Sequence, residues 1–263
     1  MKNGPLSLLF NTLVTIFILA PLVIVCLVAF TPQDVLSIPT TSFSLRWFRA
    51  VFNESGFIAA FQTSLWVAFA SASISAALAL PAAFAIARGQ FRFRHVVNGL
   101  FLSPLMIPSL VMGVALLRLF AMLGVRGSLL WLILGHVIIV TPYVIRLVLG
   151  SLVGFDKSIE HAAESLGAGK WTVFRRITFP LIMPGIFGGW ILAFINSFDE
   201  LTMSVFLTSP TTITLPVKMY MYATESINPM LSAVSALIIV LTAITMFVLD
   251  RVYGLDKILI GKQ

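Results

Sequence analysis

Residues 160–186, EHAAESLGAGKWTVFRRITFPLIMPGI, are the stretch that decides the fold of this chain. The stretch is polar, charged and punctuated by glycine, and strongly apolar runs precede and follow it. Because glycine permits sharp turns and proline ends helices, we expect two short helical pieces, broken at Gly167 to Gly169 and closed by Pro180 and Pro184. A polar helix pair standing outside a membrane offers a surface for another protein to hold.

The composition of the chain is that of a membrane protein. Of the 263 residues, 59% are hydrophobic and only 10% are charged, and several apolar runs are long enough to span a membrane. Unequal placement of Lys and Arg across a bilayer explains the net charge of +7 better than nucleic-acid binding, since the sequence has no basic groove with polar surface. The single cysteine, Cys26, lies in an apolar run and supports neither an intrachain disulfide nor a metal site.

Six apolar runs are predicted to be transmembrane helices, which makes the chain an all-α membrane protein with one transmembrane domain, residues 1–263. Each run can cross about 30 Å of hydrocarbon at about 1.5 Å per residue, and lipid does not tolerate unpaired backbone groups. The first run follows Lys2, as in a signal peptide, but its apolar part of about 20 residues favours an uncleaved span. The predicted spans are residues 6–30, 57–87, 99–123, 129–152, 184–207 and 230–249, with a loop segment at 153–183.

The positive charges predict how these spans are oriented. If the N-terminus is cytoplasmic, most Lys and Arg residues lie in inner loops, as the positive-inside rule requires. Both termini and the 153–183 segment are then cytoplasmic. The inner set is Lys2, Arg88, Arg92, Arg94, Lys157, Lys170, Arg175, Arg176, Arg251, Lys257 and Lys262, and the outer set is Arg46, Arg49, Arg126 and Lys218.

Two further patterns bear on helix packing. The second run is rich in Ala and Ser, and small residues allow helices to approach closely, so we expect it to pack against another helix. Five prolines are candidate helix breaks near a pathway, namely Pro104, Pro108, Pro142, Pro180 and Pro184.

The 160–180 stretch resembles the cytoplasmic loop of the permease subunits of bacterial ABC importers. That family carries the pattern E-A-A, three residues, G, nine residues, then I-x-L-P. Here His161-Ala162-Ala163, Gly167 and Ile177-Thr178-Phe179-Pro180 keep the spacing, although His161 replaces the usual glutamate and Phe179 replaces leucine. Glu160 partly supplies the missing charge, but it points about 100° away on a helix and is not an equivalent substitute.

This resemblance implies a transport subunit rather than an enzyme. In the family the loop is a coupling helix that docks into an ATP-binding subunit. The expected partners are two ATP-binding subunits, a second homologous permease chain and an external solute-binding protein, all at a bacterial inner membrane. No cofactor is expected on this chain, because ATP belongs to the partner. The residues carried over to the coupling role are Glu160, His161, Ala162, Ala163, Gly167, Ala168, Ile177 and Pro180.

The resemblance covers essentially the whole chain and extends to the polyamine branch, whose solutes are spermidine and putrescine. The stretches that look like this branch are FSLRWFRAVF (43–52), LSPLMIPSLVMG (102–113) and DELTMSVFLTSPTTITLPVKMY (199–220). They are less specific than the loop motif, and permeases for other small amines, amino acid derivatives and opines look similar.

Motifs for catalysis or nucleotide binding are absent from the sequence. A P-loop needs G-x-x-x-x-G-K followed by Ser or Thr. Gly169-Lys170 is followed by Trp171 instead, and Gly261-Lys262 by Gln263. The three histidines are too scattered for a zinc site, and His136, inside a predicted span, is expected to make a hydrogen bond between helices.

Acidic residues in the fifth run mark a candidate solute pathway. Asn196, Asp199 and Glu200 lie at i, i+3 and i+4, so on a continuous helix they give one polar face. Charge at a helix centre in lipid costs about 2.5 to 3.5 kcal/mol, and an acidic face would attract a cationic solute. The alternative is that the acids pair with arginine or interfacial water and only orient the helix. Aromatic rings available for cation–π contacts to an ammonium group are Phe194, Phe198 and Tyr220.

The sequence therefore predicts a permease subunit that imports a polyamine-type cation. The alternatives are an ABC importer for another small amine, amino acid derivative or opine, and a proton-driven secondary carrier. A carrier of that kind often shows inverted repeats and would leave the 160–180 motif unexplained.

Overall fold

The computed structural model describes residues 4–39, 42–125 and 127–253, and within these ranges the chain forms helices and no β-strand. This confirms the all-α prediction. A 3₁₀ turn at Ser103–Met106 and a π turn at Phe174–Thr178 accompany the α-helices. The α-helices described are α1 (Pro5–Val28), α2 (Arg46–Asn53), α3 (Ser55–Arg88), α4 (Arg94–Leu102), α5 (Ser109–Met122), α6 (Leu129–Gly154), α7 (Ser158–Ser165), α8 (Lys170–Val173), α9 (Phe179–Phe198), α10 (Ser204–Leu207), α11 (Leu215–Glu225) and α12 (Met230–Tyr253).

Four helical stretches of the described chain have the length and hydropathy of a membrane span. They are α1, α3, α6 and the continuous stretch Lys170–Phe198, which joins α8, the π turn and α9. A bent pair, Arg94–Met106 with Ser109–Met122, brings the number to five if the pair counts as one span. The apolar part of α12, Met230–Thr245, is shorter. The count of six spans therefore stays a prediction.

The third predicted span, residues 99–123, is not one continuous helix in the structure. The chain bends by 103° between the 3₁₀ turn and α5. Ile107 has φ −91° and ψ 125°, the extended backbone that a following proline imposes, and Pro108 is that proline. Pro104 and Pro108 thus coincide with a helix break, whereas Pro142 lies inside α6 and Pro184 inside α9.

The fifth predicted span, residues 184–207, was displaced along the chain. Helix runs from Lys170 to Phe198, so Pro180 does not close the second piece of the 160–186 stretch. The amide that proline lacks would have bonded to the carbonyl of Arg176, which lies in the π turn, where the regular i to i−4 ladder is already interrupted. The helix therefore continues through Pro180. At its far end Asp199 is the C-cap residue.

The described chain divides into two compact units, of which one includes the described residues up to Ala59 together with Lys218–Val252. Helix α2 belongs to this unit and lies between the first two predicted spans, in a segment whose arginines were assigned to the outer face. Arg46 at its start forms an ion pair with Asp34, and Trp47 donates from Nε1 to the Gln33 carbonyl at 3.2 Å. These contacts tie α2 to the segment after α1.

The other unit includes Ala60–Val217, and its core lies between α3, α6 and α9. The Ala- and Ser-rich face of α3 packs on α6, as expected. Ser71 donates to the Ile133 carbonyl at 3.2 Å, and Ser75 to the Val137 carbonyl at 3.4 Å. Small side chains thus let the two helices share hydrogen bonds where lipid offers none.

Helices α6 and α9 cross closely in the same core. Gly189 is buried against Val144, and a Cβ at Gly189 would lie 2.9 Å from the Val144 Cα. A second apolar cluster, which includes Leu116, Leu132 and Met203, packs α10 and the turn before it against α5 and α6. These contacts position both ends of α9, where the candidate site residues lie.

Candidate functional site

Helix α7 ends in a Schellman motif at Gly167. Gly167 has φ +88°, and its amide donates to the Glu164 carbonyl at 2.9 Å, while the Ala168 amide donates to the Ala163 carbonyl at 3.0 Å. Gly169, two residues later, has an ordinary φ of −68° and precedes α8. The predicted break at Gly167 to Gly169 is confirmed, and its left-handed residue is Gly167.

The start of α7 is held by Asp156. Its carboxylate accepts from the Ser158 amide at 2.9 Å and from the Ser158 hydroxyl at 2.7 Å. The hydrogen bond from the backbone amide, with that from the hydroxyl, lowers the pKa of Asp156. Both ends of this short helix are thus stabilised by local hydrogen bonds.

One side of the 158–171 region presents large apolar side chains to the outside. Leu166 is 90% exposed, Trp171 is 70% exposed and Ile159 is also exposed. His161 lies on the surface and pairs with Glu164 at 3.5 Å. Exposed apolar side chains among polar neighbours are typical of a protein–protein contact.

Glu160 faces the other way and is only 8% exposed. It forms an ion pair with Arg88 at the end of α3 and accepts a hydrogen bond from the Thr178 hydroxyl in the π turn. Partial burial acts to raise the pKa of Glu160, but the hydrogen bonds from Arg88 and Thr178 and the charge of Arg88 outweigh it and hold the pKa below its ordinary value. Glu160 is therefore charged at neutral pH, and the pair is lost only in acid.

The remaining motif residues divide between the two sides. The sequence pattern does not distinguish them, because it records spacing and not direction. His161, Ala162 and Pro180 are exposed, whereas Ala163, Ala168 and Ile177 are half-buried. The structure therefore groups His161 and Ala162 with the exposed surface and leaves Glu160 alone as an inward charge.

The predicted polar face of Asn196, Asp199 and Glu200 does not form. Because α9 ends at Phe198, Asp199 and Glu200 lie beyond the helix. Asn196 donates to the Leu192 carbonyl of its own helix at 2.8 Å, Asp199 is exposed, and the half-buried Glu200 accepts from the Met203 amide at 2.7 Å. The two acids therefore lie in the turn between α9 and α10 and not along one helical face.

His136 of α6 is buried beside this turn. Its Nδ1 is 2.8 Å from the Ser197 hydroxyl and its Nε2 is 3.0 Å from the Ser204 hydroxyl. The prediction of a hydrogen bond between helices is confirmed. Both ring nitrogens have partners, so His136 ties α6 to the last turn of α9 and to the first residue of α10.

Aromatic rings form a ladder along α9 in the same unit. Trp190 stacks on Phe194 with centroids 5.5 Å apart, and Phe194 stacks on Phe198 at 6.2 Å. From α3, Phe69 meets Trp190 and Phe61 meets Phe198 edge-on. Of the aromatic rings predicted for a cation, Phe194 and Phe198 thus belong to this ladder, while Tyr220 lies in α11.

Among the described residues, no group of His, Cys, Asp and Glu could hold a metal ion. The sequence did not predict the partners of Glu160, since Arg88 lies 72 residues earlier in the chain. The only signal was a charged residue directly before the motif.

The family model described as "Binding-protein-dependent transport system inner membrane component" matches residues 75–255 of this chain. The spermidine/putrescine transport system permease protein PotC of Escherichia coli (strain K12) is 30% identical over 94% of this chain and 93% of its own length. The putrescine transport system permease protein PotI of the same strain is 32% identical over 88% of this chain and 85% of its own length.

A solved structure shares the fold at low sequence identity. A chain of a bacterial alginate ABC transporter, determined in complex with an alginate pentasaccharide-bound periplasmic protein, superposes with a TM-score of 0.70. The identity is 15%, and the match covers 94% of each chain.

Proposed function

The chain belongs to the binding-protein-dependent transport system inner membrane components, and on that premise we propose that it moves a polyamine-type cation into the cytoplasm. It is a permease subunit of an ABC importer, related to polyamine permeases over nearly its whole length. We assign ATP hydrolysis, and the bound ATP, to a partner subunit.

One observation carries the solute proposal. Two relatives, one named for spermidine and putrescine and the other for putrescine, match this chain over 94% and 88% of its length. We assign the carboxylates of Asp199 and Glu200 in the α9–α10 turn to the pathway, because their negative charge would attract an amine cation. Asn196 is the neutral polar group one turn earlier.

The 153–183 segment is the proposed coupling element. The exposed side of α7 and α8 supports this role, because Leu166 and Trp171 project from a short helix pair as anchors for a partner. His161 and the small Ala162 lie on the exposed side of the motif, and Gly167 sets the turn between the two helical pieces. Lys170, Arg175 and Arg176 lie nearby and favour an acidic partner surface or lipid headgroups.

The assembly follows from this assignment. The proposed partners are two ATP-binding subunits, one of which holds the exposed side of α7, a second homologous permease chain and an external solute-binding protein. A periplasmic protein occupies the last of these positions in the alginate transporter complex. The positive charges favour a bacterial inner membrane orientation with both termini in the cytoplasm.

Uptake of labelled solutes tests the proposal. Cells without other polyamine uptake would express this chain with its partner subunits and receive putrescine, spermidine or γ-aminobutyrate. We expect a polyamine to accumulate, and this accumulation should require ATP and persist in the presence of a proton uncoupler. It should be lost with Gly167→Trp or with an ATP-binding subunit that cannot hydrolyse ATP.

Each other outcome has a definite meaning. Accumulation of γ-aminobutyrate alone would leave the importer assignment in place and remove the polyamine assignment. Accumulation that the uncoupler abolishes and the inactive ATP-binding subunit does not affect would point to a secondary carrier and overturn the coupling proposal.

A further inference from the structure

Glu160 stands apart from the other charged residues of α7 because its carboxylate is turned inward. On the same helix Glu164 and His161 are exposed and pair with each other, as charges on a short surface helix commonly do. A buried carboxylate is retained only with partners, and Glu160 has two, the Arg88 guanidinium and the Thr178 hydroxyl. These partners belong to two different elements of the fold.

Arg88 depends on Glu160 for its charge compensation. Its side chain is 25% exposed, and it lies against the rings of Phe84 and Phe155, each 5.8 Å from the guanidinium carbon. Nε and Nη2 are shielded from solvent and have no hydrogen-bond acceptor among the described residues. Glu160 is accordingly the carboxylate that holds the end of α3 to α7.

Thr178 provides the second connection. It is 2% exposed and is the last residue of the π turn that leads into α9. Phe174, at the start of that turn, packs edge-on against Phe84 of α3 with centroids 5.4 Å apart. The π turn is thus held both by the Glu160 carboxylate and by an aromatic contact to the same end of α3.

We propose that Arg88, Glu160 and Thr178 form a joint through which displacement of α7 is passed to α3 and to α9 together. Glu160 is then a positioning residue for transport. It makes no contact with the solute, and it acts by keeping the exposed side of α7 in a fixed relation to two long helices. This inference rests on the proposed function, since it needs a partner that moves α7.

The geometry explains why this joint would transmit motion. A short helix such as α7 is held at its ends by local hydrogen bonds, which do not connect it to α3 or to the π turn. The charge-assisted bonds of Glu160 supply that connection, and they are directional and short-ranged. Without them α7 would still fold and still bind its partner, but its displacement would reach α3 and α9 less completely.

The test measures solute transported per ATP hydrolysed by the assembled complex in proteoliposomes. We expect Glu160→Gln and Thr178→Val to lower this ratio about fivefold or more, the range of a typical coupling free energy between sites. Thr178→Ser keeps the hydroxyl and is the matched control, expected to stay near wild type. Arg92→Ala, at an exposed arginine just after α3, controls for loss of positive charge.

A charge reversal separates positioning from folding. Arg88→Glu alone places two carboxylates together and should abolish transport, whereas Arg88→Glu combined with Glu160→Arg restores an ion pair and should recover part of the transport ratio. Equal ratios for Thr178→Val, Thr178→Ser and Glu160→Gln in assembled complexes would overturn the joint. If wild-type complex neither transports a solute nor hydrolyses ATP in response to one, it is the proposed function that fails.

Discussion

At the scale of single residues, Gly167 is the position where the backbone alone decides what is allowed. A Cβ there would meet no atom within 4 Å, so packing does not forbid a side chain, but φ is +88°. Gly169 has equally open surroundings and a φ of −68°. Substitution at the two glycines therefore differs in backbone strain alone, because neither position has a steric clash.

We expect Gly167→Ala to cost about 1 to 2 kcal/mol in the local stability of the last turn of α7, because an L-residue is strained in the left-handed region. Gly169→Ala should cost much less. Amide hydrogen exchange at position 167 and at Ala168, compared between the two variants, measures this difference directly. Equal protection in the two variants would contradict the role assigned to the Schellman motif.

The acids of the α9–α10 turn give a second prediction at this scale. Asp199→Asn and Glu200→Gln keep an acceptor oxygen and remove only the charge, so the Met203 amide retains a partner at position 200. Loss of one charge-assisted contact of about 1.5 kcal/mol should lower uptake of a cationic solute about tenfold at low concentration. Assembly with the partner subunits should be unchanged. Normal uptake in both single variants and in the double variant would leave the acids with a structural role only.

At the scale of elements, the crossing of α6 and α9 depends on glycine. The Cβ of Gly189→Ala would lie 2.9 Å from the Val144 Cα, a backbone atom that cannot rotate away. Gly150 lies on α6, and a Cβ added there would have no atom within 4 Å. Both glycines have helical backbone conformation, one in α6 and one in α9, and they differ in the space around them.

Gly189→Ala should therefore destabilise the protein by about 1 to 3 kcal/mol, the usual cost of overpacking. Gly150→Ala should be neutral or slightly stabilising, since alanine favours helix over glycine by about 1 kcal/mol. The thermal unfolding midpoint of the detergent-purified chain would show the difference. An unchanged midpoint for Gly189→Ala would mean that α6 and α9 separate easily.

At the scale of the whole molecule, the orientation in the membrane decides which surfaces meet which partners. The chain has one cysteine, Cys26, so Cys26→Ala gives a background without thiols. Leu166→Cys then places a thiol at a position of the proposed coupling element that is 90% exposed, and Asp34→Cys places one in the segment before α2.

An impermeant thiol reagent should label Leu166→Cys only in inside-out vesicles and Asp34→Cys only in right-side-out vesicles. Vesicles stripped of ATP-binding subunits expose the first position, and rebinding of those subunits should protect it. Labelling of Leu166→Cys from the outside would show that the topology is the opposite of the predicted one. The proposed coupling surface would then lie on the side of the membrane that has no ATP.

Much of the fold and part of the site could be predicted because their causes are local. Long apolar runs require backbone groups to pair within the same segment, so helices follow from composition. The turn at Gly167 follows from one residue type that accepts positive φ, and the break at Pro108 from the restriction that proline places on Ile107.

The direction in which Glu160 points and the residue at which α9 ends depend on contacts between residues far apart in the chain. Glu160 points inward because Arg88 and Thr178 pair with its carboxylate, and no local pattern records a partner 72 residues away. Helix α9 stops at Phe198, and the chain after it turns back to pack Met203 and Leu207 between α5 and α6. The sequence by itself therefore determined the membrane class, the family motif and the turn at Gly167, since each depends on neighbouring residues. Only the tertiary structure decided which side of α7 is exposed and where the acids of the pathway lie, because these depend on which helices pack together.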